Sequence, residues 1–469
     1  MAKILFLQDA FFEYHGIQSL SAYAKSKGHK VELLVCEGRQ KEEIYAEVEK
    51  AAPQLLAFSV TSMNYQWAVD AAVYIKSRRK ILSVFGGAHP TYYPSFIETP
   101  GVDIVCVGEG EEALCELADS IDAGRDISAI KNLWVKTEKG ICKNELRPVF
   151  QKLDELPFLD RDIYYSCSAT LRGLSNKRFL VGRGCPYSCS FCHNHKLLEM
   201  YKGKGQFVRF RSAENVVKEI VEVKNKYGLK TISFSADTFT LNPELVRFLE
   251  VYKKEVGLPF FCQANFNELN EEKIKTLKES GCLYLAIGVE SGSERLRNQI
   301  LSKNITDRKI LEVSRLLKKY DLKFIAYVMF GLPTETLSDS LRTMEFCAEI
   351  GADRLAPAIY WPITGTELYN YVERNDLFEK SPERISSHYS YYSRIKFENK
   401  AEILNLHKIA FYGVRFPALI PLIKALIKLP ANPVFKLLSD YGLFDAYRVS
   451  RGMNIFEMIK LGWNIRKMT

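Results

Sequence analysis

Residues 183–195 read RGCPYSCSFCHNH and set three thiols at Cys185, Cys189 and Cys192, a C-x3-C-x2-C spacing. Three thiols this close, in a chain whose first residues do not read as a secretory signal and which is therefore expected in a reducing setting, point to a metal site. An iron–sulfur cluster takes cysteine thiolates, normally four; three from one loop would leave one iron open to a substrate or cofactor. A zinc knuckle completed by His193 or His195 is the other reading, although this spacing is not among the usual zinc motifs. Gly182, Gly184 and Pro186 suit a loop wound tightly round an inorganic core. The chain has eleven cysteines in all. The rest are solitary, several on strand patterns (Cys106, Cys262, Cys282), where a thiol packs as a small hydrophobe.

The elements that must hold this loop come in two alternating runs. Apolar strand patterns at 3–7, 31–35, 55–60, 81–87 and 102–108 alternate with helical stretches such as 17–28 and 65–77. That alternation implies a doubly wound parallel sheet with helices on both faces, and such sheets bind ligands at the carboxyl ends of their strands. The residues just past those ends are Ser59, Thr61 and Ser62, then Gly86-Gly87-Ala88-His89-Pro90, then Gly108-Glu109-Gly110-Glu111. All are small, polar or glycine, as close approach of a large ligand to backbone requires. A second run starts at FLVGRG (179–184) and continues with strands at 231–235, 259–265, 284–291, 323–331 and 354–360. Six strand–helix units predict an α/β partial barrel, (β/α)6, two units short of a closed eight-fold one.

Composition sets the bounds. At 469 residues, 47 % hydrophobic and 26 % charged, the chain has room for two or three ordinary domains. We divide it into 1–145, a linker at 146–175, the barrel at 176–380 and a helical C-terminal cap at 381–469. No stretch approaches the roughly 20 apolar residues of a membrane span, and a reducing, cytoplasmic setting is expected. The net charge of +9 leans towards an anionic partner without choosing one.

With the cysteine loop at the end of a first barrel strand and Phe191 before the last cysteine, the chain resembles the radical S-adenosylmethionine (radical SAM) superfamily. That resemblance implies a 4Fe–4S cluster on Cys185, Cys189 and Cys192, whose open iron chelates SAM and whose electron cleaves it to a radical. ISFSADTFTLN (232–242) resembles the family's second-strand motif, with Ala236 where the first acid often lies and Asp237 kept. QANFN (263–267) and GVESGSE (288–294) resemble the strand ends that contact SAM, implying Gln263, Asn265, Glu290 and Ser291 beside Asp237. Read from the residues alone, Ser291 fits a helix cap equally well. MFGLPTET (329–336) resembles the family's GLPGET segment, with Thr334 in place of glycine.

FGGAHPTYYP and VGEGEEAL resemble the cobalamin-binding domain fused to many radical SAM enzymes. By that likeness Ser59, Thr61, Gly86, Gly87, His89, Gly108 and Glu109 would line the corrin and its nucleotide tail. Asp9 is followed by Ala10 and Phe11, and His15-Gly16 does not restore the Asp-x-His-x-x-Gly of histidine-ligated cobalt. The resemblance implies a cobalamin-dependent radical methylase acting on an unactivated carbon, with non-methylating cyclisation, rearrangement or carbon–carbon coupling as the alternative. A non-catalytic cobalamin- or iron-responsive regulator is a third class. The implied partners are a small-molecule or lipid-like substrate and an electron donor such as a flavodoxin or ferredoxin. In the tail, residues 411–438 mix apolar side chains with Arg415, Lys424, Lys428 and Lys436, which reads either as a lid on the barrel or as a peripheral membrane contact. The basic, tyrosine-rich YYSRIKF (391–397) is the one hint of RNA. No RNA-binding module accompanies it, so no nucleic acid is expected.

Overall fold

The computed structural model describes residues 1–379, 393–450, 455, 456 and 459. It divides into two compact units. One holds Met1–Gly173 with Lys196–Arg209; the other holds Leu174–His195 with the described residues from Phe210 to residue 456. Residues 196–209, which the sequence places inside the barrel, therefore pack with the N-terminal unit.

The first unit is built on β1 (Lys3–Gln8), β2 (Lys30–Val35), β3 (Leu55–Ser59), β4 (Leu82–Gly86), β5 (Ile104–Cys106), β6 (Leu133–Thr137) and β7 (Gly140–Lys143). Their order is β2-β1-β3-β4-β5-β6-β7. The first five run parallel, and the β6–β7 hairpin adds to β5 antiparallel. The hairpin thus extends the sheet at its β5 edge. Apolar residues on β1, β3 and β4 are buried on both faces, as a helix-covered parallel sheet demands.

The second unit carries β8 (Asn176–Leu180), two-residue strands β9 (Gly182–Arg183) and β10 (Arg209–Phe210, at the unit boundary), β11 (Thr231–Ser235), β12 (Phe260–Ala264), β13 (Cys282–Glu290), β14 (Lys323–Phe330) and β15 (Arg354–Ile359). Six of them form one parallel sheet in the order β15-β14-β13-β12-β11-β8, the expected six-stranded partial barrel. Helices start where the sequence supplies caps: Ser212, Asn270, Thr306, Thr336 and Thr366 each accept a backbone N–H of the first turn. One sheet face packs Phe179, Phe234, Phe260, Leu285, Ile287 and Val328 against the first four of these helices.

The tail joins this unit. Helix Lys400–Arg415 buries Ile403, Leu406, Ile409, Ala410, Phe411 and Val414 in the barrel core, and helices Ile420–Leu426 and Pro433–Ser450 follow. Residues 380–392, including Tyr391 and Tyr392, lie outside the described residues. Of the rest of that basic stretch, Ile395 is buried and Arg394 lies over the Trp361 ring, 5.5 Å from its centroid. No helix among the described residues is long and apolar enough to cross a membrane.

Candidate functional site

The cysteine loop follows β8. Cys185 and Cys189 are buried and Cys192 is half-buried. Asp237, just beyond β11, ties the loop at both ends: Gly184 N–H donates to its Oδ2 at 2.8 Å and Asn194 Nδ2 to its Oδ1 at 2.8 Å. The middle of the loop is pinned too. Ser190 donates from N to Leu301 O at 3.0 Å and from Oγ to Ile300 O at 2.6 Å, while Tyr187 donates to Glu268. Gly184 sits at φ +90°, where a side chain would be strained. Without iron, burial pushes all three thiols up, Cys189 to about 11. The loop then holds protonated thiols, and loading it must release protons.

Glu290 is the last residue of β13, where the register against β14 slips between Gly288 and Glu290. Its backbone is left-handed, φ +66°, a rare state for a side chain of this size. The bulge brings its carboxylate to Lys303, Nζ to Oε1 2.8 Å, with Lys303 buried. Gly288 leaves the room: a Cβ there would overlap the Glu290 carboxylate. Burial opposes the Lys303 charge, but Glu290 and then Cys189 raise its pKa on balance, so it stands as an ammonium beside the thiols. Among the described residues no three His, Cys, Asp or Glu side chains converge as ligands of a single ion would. A cluster shares its thiolates among several irons, so this loop need not converge. His195 is buried, with Nδ1 2.6 Å from Cys192 O, and so is turned to loop backbone.

The free face of the sheet lines a cavity of about 690 Å³ including its opening. Arg178, Ser233, Phe261 and Tyr284 are register partners on four successive strands and form one row of it. Gln263, Ala286 and Ile325 form the next row. The Gln263 Oε1 is buried with no hydrogen-bond partner, which a ligand with a donor would satisfy. Asn265 is buried, and its Oδ1 accepts from Asn267 N at 3.0 Å, capping a turn. Ser291 is fully buried; its Oγ accepts from Ser293 N–H at 3.2 Å and its carbonyl accepts from Arg297 Nη1 at 2.7 Å. Of the five expected SAM contacts, then, Gln263 faces the cavity and Glu290 the cysteine loop. Asp237 clamps that loop, and Asn265 and Ser291 serve local turns. Arg178, Tyr284 and Lys303 were not singled out from the sequence. The period-2 alternation of their strands carried the signal for the first two; nothing local marked Lys303.

In the N-terminal unit a second cavity, about 480 Å³ with its mouth, opens at the carboxyl ends of β3, β4 and β5. Ser59, Gly86, Gly87 and Gly108 line it, with Leu20 and Leu114 from the flanking helices. Two of its glycines are required by space: Gly87 has φ +96°, and a Cβ there would stand 2.7 Å from Val60 O. Gly108 has φ +81°, and a Cβ would overlap the Tyr201 hydroxyl. A narrow slot with backbone walls and apolar sides fits a flat heterocycle carrying a polar chain, as a cobalamin nucleotide tail is. Three expected residues are not in this slot. Thr61 hydrogen-bonds Asn64 in the loop after β3. His89 is buried, stacked on Tyr65 with centroids 4.2 Å apart, and burial lowers its pKa to about 4. Glu109 accepts two bonds from Arg209, at 2.8 and 3.1 Å, and one from Phe150 N at 2.8 Å.

A model of the radical SAM superfamily matches residues 179–347, and one of the B12 binding domain matches residues 12–118. An uncharacterized methyltransferase of Pyrococcus horikoshii is 30 % identical over 336 residues, covering 70 % of this chain and 72 % of that protein. The chain belongs to the radical SAM superfamily and carries a B12 binding domain. An anaerobic magnesium-protoporphyrin IX monomethyl ester cyclase of Rubrivivax gelatinosus is 26 % identical over 321 residues, 64 % of this chain; the chain covers just over half of it, 55 %. The fold matches the cobalamin-dependent radical SAM enzyme OxsB, solved with aqua-cobalamin and SAM bound, with TM-score 0.68 and 17 % identity over 100 % of this chain and 75 % of that one. Both cofactor assignments of this radical SAM chain therefore rest on matched domains, each with a cavity or loop shaped for its group.

Proposed function

We propose that this protein is a cobalamin-dependent radical SAM methylase acting on an unactivated carbon of a small or lipid-like molecule. The observation that carries the reading is the joining, in one chain, of a pinned three-thiol loop on a partial barrel to a glycine-floored slot in a B12 binding domain. The methyltransferase relative supports methyl transfer as the outcome. When bound, the cluster would supply the electron that cleaves SAM and cobalamin would carry the methyl group.

The chain's own part is positioning. Cys185, Cys189 and Cys192 hold iron, and Asp237 fixes the loop that presents them. The Lys303 ammonium offsets negative charge gathered at the thiolates, and Glu290 holds it there. Gln263 offers its unpaired carbonyl oxygen to a donor in the barrel cavity. Ser59, Gly86, Gly87 and Gly108 admit the cobalamin tail. The electron would come from a flavodoxin or ferredoxin in a reducing cytoplasm.

The test is anaerobic reconstitution with iron, sulfide and hydroxocobalamin, followed by assay of SAM products with and without reductant. Release of both 5′-deoxyadenosine and S-adenosylhomocysteine supports the methylase. The cyclase relative favours a second reading, non-methylating radical chemistry, which would give 5′-deoxyadenosine alone. Tight zinc with no cleavage would overturn both.

A further inference from the structure

Residues 415–441 form two faces of opposite use. Ile423, Ile427 and Phe435 turn into the barrel core. On the other side Phe416, Leu422, Leu429, Val434, Leu437 and Tyr441 stand 47–70 % exposed. Their spacing is helical: Val434, Leu437 and Tyr441 fall at i, i+3 and i+7 of helix Pro433–Ser450. Elsewhere up to Ser450, exposed large apolar side chains among the described residues are scattered (Met1, Val73, Tyr93, Val221, Leu283, Tyr327). Single ones are normal; a concentration of them marks an interaction surface.

Charge says what covers it. This stretch holds four cations, Arg415, Lys424, Lys428 and Lys436, against one carboxylate, Asp440. Lys424 pairs with Glu345 at 2.6 Å and Arg415 lies over the Phe416 ring. Lys428 and Lys436 have no carboxylate within ion-pair distance among the described residues. We propose that this surface seats the protein on an anionic lipid bilayer, leucines in the acyl boundary and cations among the phosphates. A second copy docked through the same face would set these cations against each other, which disfavours self-association here. No helix among the described residues is long and apolar enough to span, and we place the contact on one leaflet. The proposal deepens the lipid-like substrate reading, on which it rests only for its purpose; its own test is binding without SAM.

The full-length holoprotein would be floated with vesicles of phosphatidylcholine alone and of roughly equal phosphatidylcholine and phosphatidylglycerol. The wild type should bind the anionic vesicles, less so at high salt. Each cation near the surface is worth about fivefold, so Arg415→Gln/Lys428→Gln/Lys436→Gln should weaken binding about a hundredfold. Leu422→Gln/Leu437→Gln should weaken it about tenfold or more. The same charge loss at Lys224, Lys253 and Lys254, on other helices, should change it less than about twofold. Iron content and melting temperature, expected to be unchanged, show that each variant is folded. No flotation of the wild type, an equal loss in the control triple, or a dimer dissolved by Leu422→Gln/Leu437→Gln would each overturn the proposal.

Discussion

Asp237 distinguishes two roles that one carboxylate could fill at this site. If it clamps the cysteine loop, its loss should loosen iron before it affects SAM. Its two bonds are charge-assisted, to Gly184 N–H and Asn194 Nδ2, both 2.8 Å. A bond to a charged group contributes about 1.5–3 kcal/mol when buried; the Gly184 bond is part-buried and the Asn194 bond exposed, so roughly 1.5 and 0.5 kcal/mol are reasonable shares. Asp237→Ala should therefore cost about 2 kcal/mol of loop stability, near thirtyfold faster iron loss to a chelator. Asp237→Asn should do far less. Its carbonyl can keep the Gly184 bond, and the Asn194 amide can flip to accept from the new NH2, leaving mainly the lost charge, about 0.5–1 kcal/mol. The assay is the rate of iron–chelator colour from the anaerobic holoprotein, beside the KM for SAM. An Asp237→Ala variant that keeps iron like the wild type while the KM for SAM rises would refute the clamp and restore a direct SAM contact.

Three further outcomes follow from single observations. Thr334 occupies φ +63°, costing about 1–2 kcal/mol, against about 0.5–1 kcal/mol of chain entropy for glycine and a weak Arg295 bond at 3.2 Å; Thr334→Gly should raise the melting temperature by about 1–2 °C, and a fall would mean the Arg295 contact dominates. Buried Glu335, pushed up to about 7 chiefly by burial, favours folding below its unfolded pKa and loses that advantage as pH rises to 7, about 3 kcal/mol in all. Glu335→Gln, uncharged like the protonated acid, should thus be about as stable as wild type at pH 5 and gain on it by up to about 3 kcal/mol by pH 8 in denaturant titrations, and parallel pH profiles would refute this. Gly108→Ala should cost at least about 2 kcal/mol and cobalamin binding, with part regained in Gly108→Ala/Tyr201→Phe, because the added Cβ meets the Tyr201 hydroxyl.

What the sequence disclosed was whatever is encoded within a few residues. Cys185, Cys189 and Cys192 share one loop, the helix caps sit one residue before their helices, and Gly86-Gly87 marks a turn by its own composition. What it concealed depends on partners far along the chain. Glu109 was read as a cofactor contact because it follows a strand in a glycine-rich loop; its partner Arg209 lies 100 residues on. Asp237 was read as a SAM contact from its motif position, yet its geometry is set by Gly184, 53 residues earlier. His89 follows a strand end in a glycine turn and so was expected to line the corrin, whereas its ring is stacked on Tyr65 and set edge-on to Phe96. Lys303, between Ser302 and Asn304, has no local pattern to mark it.

Backbone strain adds an independent argument about where function lies. Glu290, the last residue of β13, and Thr334, in the turn just past the end of the neighbouring β14, are left-handed at φ +66° and +63°. Such positions persist only where surrounding contacts over-determine them, and each costs about 1–3 kcal/mol. At Glu290 the determinants are visible. The β13 bulge turns the side chain, Gly288 clears its path, and Lys303 holds its carboxylate. Removing the lysine should release that constraint, so Lys303→Met would leave the Glu290 carboxylate without its ion-pair partner beside the three cysteines. Glycine at 290 would relieve the backbone and lose the ion pair. The glutamate there keeps Lys303 beside Cys189 at the expense of a left-handed backbone that glycine would adopt freely.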